Sequence, residues 1–460
     1  MFSKMFKAIQ SRHLALLVYV SGFFLYALIP ATRTGEHTRY FLILHFIHAL
    51  SGIFLLRSYT QPNPVQLVLL FLVSRFALFG MFPWLSDDVF GYLFYGKATL
   101  HGINLYALPA DDPSISYLRD SAYAMMAFKP YQNIYPPLAT IMMALSSWLS
   151  GFFSPSLFTA LWTWKFLLFI SEGLGLWIIF RWLRAKGYSY FPLLMYLAIP
   201  LTGIEGVGQA HNELLLLPMI AGLMMISEKP SNNTRSVILG ILTAFLGLIK
   251  LYPIMLIVPI IVSSTLVKQR LITVLSCTMS ILIISIPWFS GSLTGDHSAI
   301  LGYASVLSFY HGTYFNGMIL HVFRYLFEIF HIREWWLLAP KAVSILRILS
   351  VMAMSIYSTI KRHAMMYTFY LVLFVTIMIS SKVHAWYLLP LIPLGSVLLR
   401  QSMPIISLLM MMTYMMYATD PPVESIMFES VLWCAMGSVL LMEIKGKLHI
   451  FDCGQSEVLT

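Results

Sequence analysis

SVILGILTAFLGLIKLYPIMLIVPIIVSSTLVKQRLITVLSCTMSILIISIPWF, residues 236–289, holds only three charged side chains, Lys250, Lys268 and Arg270. They fall at the joints between three apolar runs, 236–250, 251–267 and 271–289. A helix needs about 20 apolar residues to cross the hydrocarbon of a bilayer. The stretch therefore reads as three consecutive transmembrane helices, with Lys250 at one turn and Lys268 and Arg270 at the next. The same pattern recurs at 14–30, 40–57, 64–82, 157–181, 190–205, 213–227, 337–360, 364–382, 386–399, 402–418 and 426–444. The expected fold is an all-α, polytopic membrane bundle of about 13–14 transmembrane helices.

Composition requires the same class. Hydrophobic residues make up 59% of the 460 and charged residues 10%, with a mean hydropathy of +0.78. A soluble domain carries about 25% charged residues, so lipid must cover most of this surface. A cytosolic enzyme, a disordered chain and a disulfide-stapled secreted module are excluded. Three cysteines make no disulfide framework. Cys277 and Cys434 sit in apolar runs, and Cys453 in a polar tail. The net charge of +10 lacks any basic, groove-reading motif, so no nucleic-acid partner is expected. The positive-inside rule accounts for it better.

With the N-terminus in the cytoplasm, alternation places Arg57, Arg184, Lys186, Lys229, Arg235, Lys268, Arg270, Lys361, Arg362, Arg400, Lys445 and Lys447 on the cytoplasmic side. An even number of spans returns the C-terminus to the same side. The first span follows Lys4, Lys7 and Arg12 without a small-residue cleavage site, and reads as a retained anchor. Two long segments, 83–156 and 290–336, fall outside the cytoplasm. In the first, 86–102 and 113–128 read as interfacial helices. Residues 136–152 are apolar enough for a short span, but counting them as one would put Arg184 and Lys186 outside. They are expected to lie at the outer interface. No internal repeat is visible.

Charges away from cytoplasmic loops are scarce, so each is informative. Ser86-Asp87-Asp88 ends the third span. Two adjacent carboxylates repel, which favours one of them taking up a proton; helix N-capping explains the pair equally simply. Gln209-Ala210-His211-Asn212-Glu213 opens a later span, where Glu213 could hold a hydroxyl or the segment could merely cap a helix. Lys250-Leu251-Tyr252-Pro253 invites an anion such as a lipid phosphate, unless Lys250 snorkels. Lys382-Val383-His384-Ala385-Trp386-Tyr387 joins a cation and an imidazole to two aromatic faces. An aromatic belt explains Trp386 and Tyr387 but not Lys382 and His384. Tyr310-His311 and Tyr314-Phe315-Asn316-Gly317 lie in the second outer segment. Arg75, Lys165, Glu172 and Arg347 lie within spans, Arg75 close enough to the outer end to face a cavity there. Alternation sends Asp87, Asp88, His211, Glu213, Lys250, Lys382 and His384 to the same outer side. No phosphate-cradling loop, zinc spacing or nucleophile elbow competes.

SDDVFGYLFYGKATLHGINLYALPADDP (86–113), LRD (118–120), IYPPLA (134–139), GQAHNELLLLP (208–218), GLIKLYPIMLIVP (247–259), YFNG (314–317) and VHAWYLLPLIP (383–393) together resemble bacterial integral-membrane mannosyltransferases of the GT-C superfamily. The resemblance runs in order from about residue 64 to 400. It implies a polyprenyl-phosphate sugar donor whose tail stays in the bilayer, a glycan or lipid-linked acceptor, and a site on the outer face of a bacterial inner membrane. It implies inversion at the anomeric carbon, with Asp88 as general base and Asp87 as the alternative. Lys250 is the implied phosphate contact; Arg75 and His384 are weaker candidates. His211, Glu213, Tyr252, Lys382 and Trp386 complete the donor site. Glu213 stands where relatives often carry a second acid. Mannose is the implied sugar, although Gly91, Phe94-Tyr95-Gly96 and Leu105 depart from the pattern of relatives. No cofactor is expected; for a divalent ion only Asp87, Asp88 and Glu213 offer ligands. On this reading residues 1–63 form a transmembrane hairpin, 64–290 the catalytic module with loop 83–156, 291–336 a second outer loop, and 337–460 the C-terminal helices and tail. The main competing reading is a transporter or flippase of a lipid-linked glycan, for which polar residues should line a midplane path. A structural subunit of an envelope complex is the third.

Overall fold

A computed structural model of the chain describes residues 2–30, 35–59, 61–304, 314–418 and 423–451. Tyr310, His311 and Cys453 lie outside these. Among the described residues there is no strand, only an isolated bridge between Phe315 and Lys382. The helices are α1 (Phe2–Tyr26), α2 (Gly35–Ser58), α3 (Pro64–Phe79), α4 (Asp88–Leu100), α5 (Ser121–Met125), α6 (Pro137–Ser150), α7 (Leu157–Lys186), α8 (Phe191–Leu197) and α9 (Pro200–Gly203). They continue with α10 (Leu217–Ser227), α11 (Asn233–Ile249), α12 (Ile257–Ser263), α13 (Val267–Phe289), α14 (Met318–Ile329), α15 (Trp335–Ile360), α16 (Met365–Met378), α17 (Ile392–Val397), α18 (Met403–Met411) and α19 (Ile426–Ile444).

Local chemistry sets several boundaries. Asn63 starts α3 by accepting the Val65 N–H, while Gln66 reaches back to the Asn63 N–H and Pro64 takes the first turn, where its missing donor costs nothing. Asn232 caps α11 through the Arg235 N–H. Five helices among the described residues are long and apolar enough to cross a bilayer, and a sixth if α8 and the Pro200–Gly208 segment form one broken span bent by 67°. Along α13, Leu271, Leu275, Leu282 and Ile286 are all exposed and share one helical face. Such a stripe needs lipid beside it.

The other apolar helices, of 10–17 residues, are shorter than the sequence pattern suggested. The apolar run 190–205 breaks at Pro200, and 251–267 begins as a 3-10 turn over Tyr252–Leu256. The run 386–399 splits into a 3-10 turn, Ala385–Leu388, and α17. Hydrophobicity measures burial in lipid or protein and is blind to these breaks. The interfacial helix expected at 113–128 is a 3-10 turn (Pro113–Leu118) followed by α5, because Asp120 is extended and caps α5 through the Ala122 and Tyr123 N–H groups. At 14 residues, α6 is about 21 Å long, too short to cross the hydrocarbon alone.

The chain forms two compact units. One comprises residues 1–85, 176–210 and 384–460; the other 86–175 and 211–383. In the first, Tyr19, Tyr26, His45 and His48 make a buried polar chain between α1 and α2: His48 Nε2 donates to the Tyr19 carbonyl at 2.8 Å, and the Tyr26 hydroxyl lies 3.2 Å from His48 Nδ1. In the second, α4 packs on α6 at Gly96. A β-carbon there would stand 2.3 Å from the Met143 carbonyl oxygen, so only glycine permits this approach.

Candidate functional site

Asp87, Asp88, His211, Glu213, Lys250, Tyr252 and Lys382 belong to the second unit. Asp88 opens α4, and Asp87 takes the N-cap position without a side-chain capping bond. The Ser86 hydroxyl accepts the Asp88 N–H at 3.3 Å instead. Capping therefore does not explain the acidic pair. The Asp88 side chain is 24% exposed, so a substrate can reach it. Tyr92, one turn on, donates to Asp88 Oδ2 at 3.4 Å, and the buried His211 places Nδ1 3.9 Å from the same oxygen.

The second acid is occupied differently. Glu213 is buried and forms an ion pair with Lys250 at 2.9 Å. Lys250 also donates to Asn212 Oδ1 at 3.2 Å and lies 5.1 Å above the Tyr135 ring. A buried ion pair needs such added contacts to offset its desolvation. Tyr135 meets Tyr92 edge-on, ring centroids 4.9 Å apart. Its backbone is held on both sides: Asn133 Oδ1 accepts the Tyr135 N–H, and the Tyr106 hydroxyl donates to the Tyr135 carbonyl at 2.6 Å. Asn133 is itself tied to Thr140 and to the Leu105 carbonyl. The LYALP and IYPPLA motifs thus build one support under the aromatic floor of the site.

Lys382 follows α16 in a segment that pairs with the YFNG motif. The Phe315 N–H donates to Ser381, the Val383 N–H to Phe315, and the buried Asn316 amide to the Val383 carbonyl at 3.2 Å. A β-carbon on Gly317 would lie 2.5 Å from the Ser381 carbonyl oxygen, which is why glycine ends the motif. Burial pushes the Lys382 ammonium down to about 8, and the Asp88 carboxylate within its electrostatic reach opposes that shift. The ligand atoms of Asp87, Asp88 and Glu213 do not gather within 4.8 Å of one another.

Arg75, His384 and Trp386 belong to the first unit. Arg75 is fully buried and donates to the Thr202 hydroxyl at 2.9 Å and to Ser74 at 3.2 Å. His384 stacks on Trp386, centroids 4.2 Å apart and rings 6° from parallel. Gln209 accepts the N–H groups of Trp84 and Leu85, the two residues before the acidic segment. Glu205, fully buried, accepts from the Tyr414 hydroxyl at 3.1 Å.

The sequence model of the alpha-(1→6)-mannopyranosyltransferase N-terminal domain matches residues 40–282, just over half of the chain. The chain belongs to this family. Family membership and the apolar helices together make it an integral-membrane glycosyltransferase with a polytopic helical bundle of GT-C type. No curated protein and no solved structure matches it. The region shared with the mannopyranosyltransferase family includes Asp87, Asp88, His211, Glu213 and Lys250, and ends before Lys382, His384 and Trp386.

The sequence assigns no role of their own to Tyr92, Tyr135 or Asn212, although Asn212 lies within the 209–213 cluster. Tyr92 was accessible through its i+4 spacing from Asp88 on a helix. Tyr135 and Asn212 carried no such signal, because their roles depend on contacts with Lys250 from a distant helix.

Proposed function

We propose that the protein transfers a hexose, mannose first among candidates, from a polyprenyl-phosphate donor to an acceptor hydroxyl at the extracytoplasmic face of a bacterial inner membrane. The carrying observation is the convergence, within one compact unit, of Asp88 with Tyr92, His211 and the Lys382 segment. Asp88 takes the acceptor hydroxyl proton as general base. The acceptor oxygen attacks the anomeric carbon from the face opposite the phosphate. The carbon–oxygen bond to the phosphate breaks, polyprenyl phosphate leaves with the bond's electrons, and the configuration inverts. Asp87 is the adjacent alternative base.

The leaving phosphate needs positive charge where its own charge develops. Lys250 and Lys382 are the cations of this unit that the reading assigns to it. Glu213 neutralises Lys250 at 2.9 Å, which shifts weight to Lys382. A donor tail in lipid with the sugar at a wet rim avoids burying hydroxyls in hydrocarbon. Tyr252, in the same unit, remains a proposed donor contact.

Purified protein incubated with polyprenyl-phosphate hexoses and an acceptor lipid extract should release polyprenyl phosphate. Absence of release with every hexose would overturn the reading and favour the flippase alternative, which moves its cargo without breaking it. The Asp88→Asn protein should bind donor but release none; near-normal release with Asp87 intact would remove Asp88 from the role.

A further inference from the structure

Asn212 sits between the two halves of the candidate site. Its backbone N–H faces the Tyr92 hydroxyl, next to Asp88. Its side-chain oxygen accepts from Lys250 Nζ at 3.2 Å. A lysine ammonium only donates, so this contact fixes the amide's orientation: oxygen toward Lys250, nitrogen away from it. Asn212 is fully buried, and its Nδ2 has no hydrogen-bond partner. A buried amide donor left without an acceptor is destabilising, and native proteins rarely keep one without a reason. The neighbouring ion pair sharpens the point. The Lys250 ammonium is shared among Glu213, Asn212 and the Tyr135 ring.

Resting on the transferase reading above, we infer that Asn212 Nδ2 is a ligand-binding donor, reserved for an oxygen of the donor's sugar-phosphate head. Lys250 and Glu213 act behind it as positioning residues, holding the amide in the one orientation that presents N–H to the ligand. A phosphate oxygen and a sugar hydroxyl would both accept this hydrogen bond. A site that hydrogen-bonds its ligand discriminates strongly against ligands lacking the acceptor, so Asn212 is a specificity-determining residue.

The test separates the amide's two ends. Asn212→Asp combined with Glu213→Gln keeps a carboxylate oxygen facing Lys250 and leaves the net charge of the cluster unchanged. It removes the Asn212 N–H donor. Affinity is measured for polyprenyl phosphate and for polyprenyl-phosphate mannose in detergent or nanodiscs, with the wild type as the charge-matched reference and Glu213→Gln alone as the control for the second substitution. The double variant should bind about ten- to a hundredfold more weakly than the reference. Weakening with polyprenyl phosphate alone assigns the contact to a phosphate oxygen; weakening confined to the sugar-loaded lipid assigns it to a hydroxyl. Asn212→Asp alone, which also keeps the Lys250 contact, is the second variant should the double one fail to elute monodisperse, and the same loss is expected. Unchanged affinity in these variants, beside a wild-type protein that binds, overturns the inference and leaves the transferase reading standing. A wild-type protein that binds neither lipid overturns both.

Discussion

Asp88 and Lys382 carry opposite charges on segments nearly 300 positions apart in the chain, and each makes sense of the other. A carboxylate serving as base must be reachable, and a cation receiving a phosphate must be desolvated enough to bind it strongly. Lys382 meets the second condition at the cost of its own protonation, since burial brings it down to about 8. The sign of the consequence follows. Below about pH 8 the ammonium is charged and attracts the donor phosphate; above it the free protein holds a neutral amine, and binding must take up a proton. Donor affinity should therefore decline as pH rises through about 8. In Lys382→Arg, whose guanidinium stays charged, that decline should vanish. Titrating polyprenyl-phosphate affinity in both proteins decides it, and a parallel decline in the arginine variant would remove Lys382 as the titrating group. Lys250 behaves otherwise. Losing it strands the buried Glu213 carboxylate, so Lys250→Met should destabilise the protein by about 3–5 kcal/mol, read as a lower melting temperature. Lys250→Met with Glu213→Leu should recover most of that loss. A double variant no more stable than the single one would mean that the ion pair is not what the lysine stabilises.

At the scale of elements, the acidic segment and the Lys382 segment are each set by a contact that only glycine allows. Gly96 lets α4 approach α6, and α4 carries Asp88 at its start. Gly317 lets the YFNG motif close on Ser381, next to Lys382. Gly317 has an ordinary negative φ, so alanine there is opposed by space and not by backbone preference. Gly317→Ala should push the pairing apart and lower donor affinity while the protein stays folded. Gly96→Ala should cost about 1–3 kcal/mol through overpacking, measured by thermal unfolding in detergent. A melting temperature equal to wild type would show that α4 shifts freely on α6. These elements also mark how much was legible in advance. Apolar runs gave the helical class, because lipid burial is written directly into composition. Their breaks were not legible: Pro200 bends one run by 67°, and prolines are tolerated in other membrane helices where neighbours satisfy the freed carbonyls. Asp88 and Lys382 stood out because charge is costly near lipid. Asn212 lay within a singled-out cluster without a role of its own, since an uncharged amide is informative only once its burial and its missing partner are known.

For the whole molecule, the proposed orientation in the bilayer rests on charge. Lys229 and Arg235 flank the turn between α10 and α11, whereas the 101–136 segment that follows α4 carries three acids (Asp111, Asp112 and Asp120) against two bases (Arg119 and Lys129). On the proposed orientation the positive-inside rule puts the first turn in the cytoplasm and the second segment outside. Ser116 and Thr234 are exposed residues on these two segments. In a background with Cys277, Cys434 and Cys453 replaced by serine, Ser116→Cys should react with a membrane-impermeant maleimide on intact spheroplasts. Thr234→Cys should react only after permeabilisation. The proposed chemistry demands this polarity. A polyprenyl-phosphate sugar is consumed where its head group lies, so an acidic segment that labelled from the cytoplasm would place Asp88 in the leaflet facing soluble nucleotide sugars. The lipid-anchored donor would then bring no advantage over a soluble one, and the case for polyprenyl phosphate as leaving group would fail even with the family assignment intact.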